Sequence, residues 1–252
     1  MDVGQADAIL VADGSSTLLV DAGLDDRVAA ALSRNHVRHL DAVVLTHLDQ
    51  DHIGGLDDLI GVCSVGKVYV AEGVAGLMGD ELRAAVERLC GQGALELAYG
   101  DVISCGGFAA RVVWPREPVS DEDGNADSVV LSVLYDEEGR SLSALLTGDA
   151  EQEQTGEVLA AGDVGDIDFL KVGHHGSAVS VSAEEARALS PEVSVASAGK
   201  NNRYGHPRAE CVDALESAGS RFLCTIDAGD VVVCPGASGP RVSTQRGSLI
   251  TE

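Results

Sequence analysis

Short apolar runs punctuated by Gly, Asp and Ser begin almost at the first residue. Ala8-Ile9-Leu10-Val11 and Thr17 to Val20 flank Asp13-Gly14-Ser15, the pattern of a β-hairpin. Asp25 to Leu32 reads as a short helix with an acidic start, which suits its dipole. Ala42-Val43-Val44-Leu45 is a buried strand by its β-branched run and polar borders. Helix, strand and helix follow at Leu56–Ile60, Lys67–Val70 and Asp80–Cys90. In the middle third Leu95–Ala98, Val102–Ser104, Phe108–Trp114, Val129–Tyr135 and Leu142–Leu146 are successive strands, which predicts antiparallel pairing. Alternation then resumes with helix Glu151–Ala160, strand Ile167–Val172, helix Ala183–Leu189, strand Val193–Ala196, helix Arg208–Ser217 and a closing hairpin. Strands bracketed by helices in both halves predict two central sheets with helices outside, an α/β architecture.

Composition sharpens this picture. A chain of 252 residues is economically one large domain. Hydrophobic residues make up 45% but aromatics only 3%, so Ala, Val and Leu must fill the core. No run approaches the ~18 apolar residues of a membrane span, and a strand within the first ten residues argues against a signal peptide. The net charge of −24 opposes a general nucleic-acid-binding surface. Lys200, Arg203, His206 and Arg208 form a local basic exception. The remaining acidity, including Asp121-Glu122-Asp123 and Glu151 to Glu157, reads as solvated faces. The six cysteines lack C-x-x-C spacing, which argues against a cysteine zinc site. Buried free thiols are the favoured state. Cys224 and Cys234 flank an expected hairpin through Asp227-Ala228-Gly229-Asp230 and are the pair that could approach.

The chemistry concentrates at Thr46 to Gly55, THLDQDHIGG, directly after the Ala42–Leu45 strand. His47, Asp49, Asp51 and His52 are four potential ligands within six residues, and a turn can divide them between two adjacent cations. Gly54-Gly55 is expected to let the backbone pass close beside the ions before a helix. A lone His-x-Asp pair would be an ordinary solvated loop. Three further clusters make that insufficient: LLTGD (145–149), LKVGHHGS (170–177) and NRYGHP (202–207), each following an apolar run.

Together with DVGQADA (2–8), DAG (21–23) and NADSVVL (125–131), these segments resemble a metallo-β-lactamase-fold domain. More narrowly they resemble the C-terminal domain of ComEC-type DNA uptake (competence) proteins, over most of the chain. The resemblance implies a four-layer αββα sandwich, an origin as the soluble, outward-facing part of a membrane channel protein in the bacterial cell envelope, and DNA, as a single strand, as partner. It further implies two divalent metal ions, manganese or zinc.

Metal-assisted phosphodiester hydrolysis uses a cation pair about 3.5–4 Å apart with a bridging carboxylate, for which Asp149 is the candidate. His47, Asp49 and Asp149 would form the first site, and Asp51, His52, Asp149 and His174 or His175 the second, with His174 preferred. Asp51, Asp149, His206, Arg203 and Lys171 form the expected catalytic set. Ser177, Lys200, Asn202, Arg203 and Tyr204 are expected to meet substrate phosphate, helped by the helix start behind Pro207. Asp7, Asp21, Asn125, Asp127 and Ser128 would orient ligands, and Lys171 shares that position.

The chain departs from the family pattern in four places. HLDQDH replaces HxHxDH, no His lies between His52 and His174, Ala6 stands for a glycine, and Ala126 for an Asn. Fewer imidazoles and more carboxylates favour harder ions such as manganese and a weak first site. Three functions follow: a DNA-degrading phosphodiesterase, which the motifs favour; a small phosphodiester or lactone hydrolase, which the acidity favours; and a non-catalytic DNA- or channel-binding module with a degenerate site.

Overall fold

In the computed structural model, which describes residues 1–121 and 124–247, the opening hairpin is β1 (Ile9–Asp13) with β2 (Ser16–Val20). Strands β3 (His39–Val44), β4 (Ser64–Ala71) and β5 (Leu95–Leu97) extend it in parallel to a five-stranded sheet. A seven-stranded sheet holds β6 (Val102–Cys105), β7 (Phe108–Trp114), β8 (Val130–Glu137), β9 (Arg140–Leu146), β10 (Phe169–Lys171), β11 (Val193–Ala196) and β12 (Arg221–Cys224), in the order β12-β11-β10-β9-β8-β7-β6. Pairing is antiparallel from β6 to β9 and parallel from β9 to β12.

The strand period of two decides what each sheet face touches. Val112 and Leu146 turn inward to the core shared with Leu19, Val43 and Val70, whereas their neighbours Val113 and Leu145 turn outward. Helices α1 (Arg27–Arg34) and α3 (Asp80–Cys90) cover the five-stranded sheet through Val28, Leu32 and Val86. The outer face of the seven-stranded sheet is covered by α4 (Gln152–Ala160), α5 (Ala183–Leu189) and α6 (Ala209–Ser217) through Val158, Leu189 and Leu215. This is the four-layer αββα arrangement. The largest fully buried side chains are all Leu, the expected outcome of an aromatic-poor composition.

Several expectations need correction. Leu95–Leu97 joins β4 in parallel rather than the antiparallel group, because helix α3 returns the chain to the same end of the first sheet. The first helical turn after β3 is α2 (Gln50–Ile53), inside the ligand motif, and Asp57–Leu59 is only a 3₁₀ turn. Gly54 and Gly55 serve a different neighbour from the one expected: a Cβ on Gly55 would lie 2.3 Å from the Ala22 carbonyl oxygen, and one on Gly54 2.4 Å from that of Leu24. The glycines dock the motif onto the Asp21-Ala22-Gly23 loop.

Near the C-terminus, Arg221–Cys224 is a parallel sheet strand, Thr225–Ala228 forms the helical turn α7, and the closing hairpin is β13 (Val231–Cys234) with β14 (Arg241–Thr244). Cys224 and Cys234 therefore lie in different sheets, and all six cysteines are free. Of the acidic run at 121–123, Glu122 and Asp123 lie outside the described residues. Among the described residues, no helix is long and apolar enough to cross a membrane.

Candidate metal centre

The C-terminal ends of β3, β9 and β10 bring His47, Asp149 and His175 to one edge of the sandwich, and α2 adds Asp51 and His52. His47, His52 and Asp149 each offer a ligand atom within 4.8 Å of the others, as do Asp51, His52 and His175, and also Asp7, Asp149 and His175. His52, His47, His175 and Asp149 are at most 3% exposed.

Neighbouring groups fix which ring nitrogen faces the cluster. His52 Nδ1 is 2.7 Å from Asp21 Oδ2, and a carboxylate only accepts, so this nitrogen carries the proton. The Ser197 carbonyl does the same for His175 Nδ1 at 3.0 Å. With Nδ1 fixed as the donor, Nε2 is the nitrogen that faces inward, 3.3 Å from Asp149 Oδ1 for His52 and 3.1 Å from Asp51 Oδ2 for His175, and it is the lone pair each ring offers once neutral. His47 Nδ1 lies 3.1 Å from Thr46 Oγ1 and 3.3 Å from Ser128 Oγ, and Ser128 Oγ also accepts the Asp149 N–H.

The cluster has the marks of a cation site. His47 Nε2, His52 Nε2 and Asp149 Oδ1 are buried without a hydrogen-bond partner, where each unmet polar atom costs about 1–3 kcal/mol. Burial opposes charge on His175, but Asp149 and Asp7 outweigh it and push the ring up to about 10. Burial likewise opposes charge on His52, yet Asp149 and Asp21 raise it well above its ordinary value. The carboxylates thus hold protons on imidazoles that face them, and a divalent cation held by His47, His52, His175 and Asp149 would satisfy the same acids in place of those protons.

The expected preference for His174 is reversed. His174 and His175 both have positive φ, 42° and 54°, and this double left-handed turn sends the two rings apart. His174 Nδ1 pairs with Glu151 Oε1 at 2.8 Å and lies 3.1 Å from Asn125 Nδ2, while His175 enters the cluster. Glu151 had no signal as a partner; its sequence context is that of a helix start. Asp49 is half exposed, with Oδ2 3.7 Å from His47 Nε2, and the nearby His47 ring heads the causes holding its carboxyl low. Asp127 sits in the 3₁₀ turn Gly124–Asp127.

Lys171 meets the cluster through Asp7. Its buried ammonium donates to Asp7 Oδ2 at 2.6 Å and to the Val172 carbonyl, which neutralises Asp7. Ser177 is also turned inward, bonded to Ser180 Oγ and the Val179 N–H, and does not present itself to a phosphate. Asn202 spends its side chain inside its own loop, on Gly199, His206 N and the His206 carbonyl. Pro207 precedes the cap of α6 rather than opening its first turn, and the Arg208 N–H is taken by the Gly176 carbonyl.

Lys200, Arg203 and Tyr204 stay exposed on the rim. The Arg203 guanidinium lies 4.8 Å from the Tyr204 ring centre, and Tyr204 stacks on His206 at 5.5 Å. His206 in turn is 6.4 Å from the His175 ring. Burial, reinforced by His174 and His175, pushes His206 down to about 4, so its ring is neutral near pH 7. Gln5, which sequence reasoning passed over, settles the tautomer. Its Oε1 accepts the Gly199 N–H at 3.0 Å, which turns Nε2 toward His206 Nδ1 at 3.4 Å. His206 Nδ1 accepts and Nε2 carries the hydrogen.

The profile of the metallo-beta-lactamase superfamily matches residues 1–200. The chain belongs to the metallo-beta-lactamase superfamily. ComE operon protein 3 of Bacillus subtilis is 34% identical over 200 residues, 79% of this chain and 25% of that protein. Competence protein ComA of Neisseria gonorrhoeae is 28% identical over 97% of this chain and 33% of its own length. Recombination protein 2 of Haemophilus influenzae is 28% identical over 92% of this chain and 28% of its own. The chain therefore spans a quarter to a third of these relatives. Among solved structures, YhfI of Bacillus subtilis superposes with a TM-score of 0.56 at 15% identity, covering 87% of this chain and 88% of that one. Zn(2+)-bound PqqB from Methylobacterium extorquens gives 0.54 at 14% identity over 87% and 85%. These two carry the fold. The resemblance to competence proteins rests on the sequence relatives.

Proposed function

We propose that this chain is a metal-dependent phosphodiesterase that hydrolyses DNA, as a single strand, within the outward-facing part of a membrane uptake machine of the bacterial cell envelope. The observation that carries the hydrolase reading is the convergence of buried, unpartnered ligand atoms from His47, His52 and Asp149. The sequence relatives named as competence proteins support DNA as substrate. Asp149, between His52 and His175, is the natural shared ligand: with His47 and His52 it would hold one cation, and with Asp51 and His175 the other. Asp49 would close the first site from its exposed side. Bound there, manganese or zinc would supply Lewis-acid charge at a phosphoryl group and make water acidic enough to attack it.

The remaining residues bind and orient. Asp21 and the Ser197 carbonyl hold His52 and His175 in the ligand tautomer. Lys171 keeps Asp7 ionised beneath His175 without adding net charge. The Nε2 hydrogen of His206 is available to an oxygen leaving phosphorus. It acts as a hydrogen-bond donor, because the ring is neutral and carries no spare proton. Arg203 on Tyr204 gives a cationic and aromatic face for a nucleotide, and Lys200 a second charge.

The net charge of −24 favours a second reading, a hydrolase of a small phosphodiester. One experiment separates the two: end-labelled single-stranded DNA and bis(p-nitrophenyl) phosphate are each incubated with the chain and manganese, zinc or chelator, beside Asp149→Asn. Metal-dependent DNA cleavage lost in the folded variant is the expected result. Turnover of the small diester without DNA cleavage supports the second reading, and unchanged turnover in Asp149→Asn sinks the mechanism.

A further inference from the structure

Away from the candidate metal centre, at the end of β3 that begins with His39, two strand edges border a cavity of about 750 Å³. Among the described residues, strand β1 is the outer strand of the five-stranded sheet and pairs only with β2, and strand β13 pairs only with β14. Ile9 to Asp13 of β1 and Val231 to Cys234 of β13 both line the cavity, and its floor is the inner face of β7 to β10, through Phe108, Val133, Leu142, Ala144, Leu146 and Phe169. The seven-stranded layer is thus covered by β1–β5 on one side and β13–β14 on the other, and the cavity is the gap between the two covers.

Three properties of the gap point to the same occupant. Every second residue of a hairpin strand turns its N–H and C=O away from its partner, so β1 and β13 each offer a row of backbone groups, and such edges are templates for another strand. The apolar side chains along the gap, Ile9, Val11, Phe108, Phe169, Val231 and Val233, are only partly buried. The charge of the walls is inverted. Across the chain Lys and Arg number 17 against 41 Asp and Glu, but the walls carry Arg38, Arg140 and Arg241 against Asp13 and Asp230. Asp230 is already engaged by Arg34 and the Asp2 N–H, and Asp13 by the Gly107 N–H. Among the described residues, the ion-pair partner of Arg140 is exposed Glu138.

We infer that this gap receives an extended peptide segment of a partner protein, whose apolar side chains face the floor and whose alternating acidic side chains reach Arg38, Arg140 and Arg241. The segment pairs with β1, β13 or both and makes the upper layer continuous, the strand-addition mode of recognition. A lipid acid would satisfy the floor and the arginines but leave both strand edges unpaired.

The test uses the full chain and a capped eight-residue peptide alternating valine with glutamate, read by amide hydrogen exchange and by titration. Controls are the same peptide N-methylated at alternate backbone nitrogens, a valine–lysine peptide, and decanoate. Exchange at β1 and β13 should slow at least about tenfold with the valine–glutamate peptide, and the N-methylated and lysine peptides should leave it unchanged. Arg38→Glu with Arg241→Glu, both on exposed positions, should weaken binding by about tenfold. No protection at millimolar peptide, equal protection by the N-methylated peptide, or protection by decanoate in place of the peptide overturns the inference. None of these outcomes depends on the metal centre or on turnover.

Discussion

His52 Nδ1 and Asp21 Oδ2 lie 2.7 Å apart, both wholly buried. The same carboxylate accepts the Thr46 N–H and hydroxyl at 2.8 Å each, so Asp21 ties the start of the THLDQDHIGG loop to the orientation of its last histidine. Asp21 has a φ of 62°, a backbone conformation that Asn also adopts readily. In Asp21→Asn an amide nitrogen competes for the face that His52 needs as acceptor. Metal affinity should fall about 10–100-fold while the far-ultraviolet circular dichroism is retained. Competition with a chromophoric chelator measures it, and unchanged affinity would remove Asp21 from the site.

The opposite directions of His174 and His175 give a second prediction. His175→Ala removes a buried nitrogen 3.1 Å from Asp51 and 3.6 Å from Asp149 and should weaken the second cation at least about tenfold, by the scale of effects at ligand-supporting positions. His174→Ala removes the contacts with Glu151 and Asn125 and an edge-on ring contact with His206, none of them in the ligand cluster, and should change affinity less than about threefold. Calorimetric metal titration of both variants decides between the two neighbours, and a larger loss in His174→Ala would restore the sequence-based preference.

Much of this was legible in the chain because strands and ligands share one grammar here: an apolar run, then Gly and a polar residue at the strand end. That pattern placed β7, β11 and α3 on their observed ranges and the C-terminal end of β3 within a residue, although β3 begins three residues earlier, and it singled out His47, Asp51, His52 and Asp149, which the fold brings to one edge. It failed where the decision belongs to tertiary contacts. Nothing local distinguishes His174 from His175, since the turn that separates them is set by positive φ at both. Lys171, Ser177 and Asn202 have the chemistry of substrate contacts, but each finds a buried partner distant in sequence or inside its own loop. Gln5 and Glu151 were invisible for the complementary reason: their partners, Gly199 with His206 and His174, lie 194, 201 and 23 residues away.

The Lys171–Asp7 pair carries a stability prediction. Both side chains are essentially buried, 2.6 Å apart, so Lys171→Met leaves a buried carboxylate with its ammonium removed, a change that costs about 3–5 kcal/mol. Asp7→Asn with Lys171→Met removes both charges and should recover part of that loss. Burial opposes ionisation of Asp7, but Lys171 and His175 outweigh it and hold the carboxyl below its ordinary range. For such a depressed group the stabilisation is complete above the unfolded value of about 3.9 and is lost as pH falls through the folded one. In Lys171→Met burial acts on Asp7 without its ammonium and favours protonation, so the gap between wild type and variant in urea unfolding should be full at neutral pH and narrow as acid protonates the uncompensated Asp7. A gap that widens as pH falls would show that the pair is not the source.

The thiols give the last prediction and test the packing of the sheets without any metal. Burial pushes Cys211, on the buried face of α6, up to about 12 and Cys105, at the end of β6, up to about 11. It also raises Cys63 and Cys224. A thiol reacts as its thiolate, so these four are slow at pH 8 both by access and by ionisation. Cys90, at the end of α3, and Cys234, on β13, are only partly buried. Two thiols should therefore react with a disulfide reagent within minutes in the native chain, and all six after unfolding. Fast labelling of Cys211 would mean that α6 opens from the outer face of the sheet, and a native count below two would place a disulfide where the structure has free cysteines. If the gap between β1 and β13 holds a peptide strand, that peptide should slow Cys234 and leave Cys90 unchanged, because among the two only Cys234 lines the cavity.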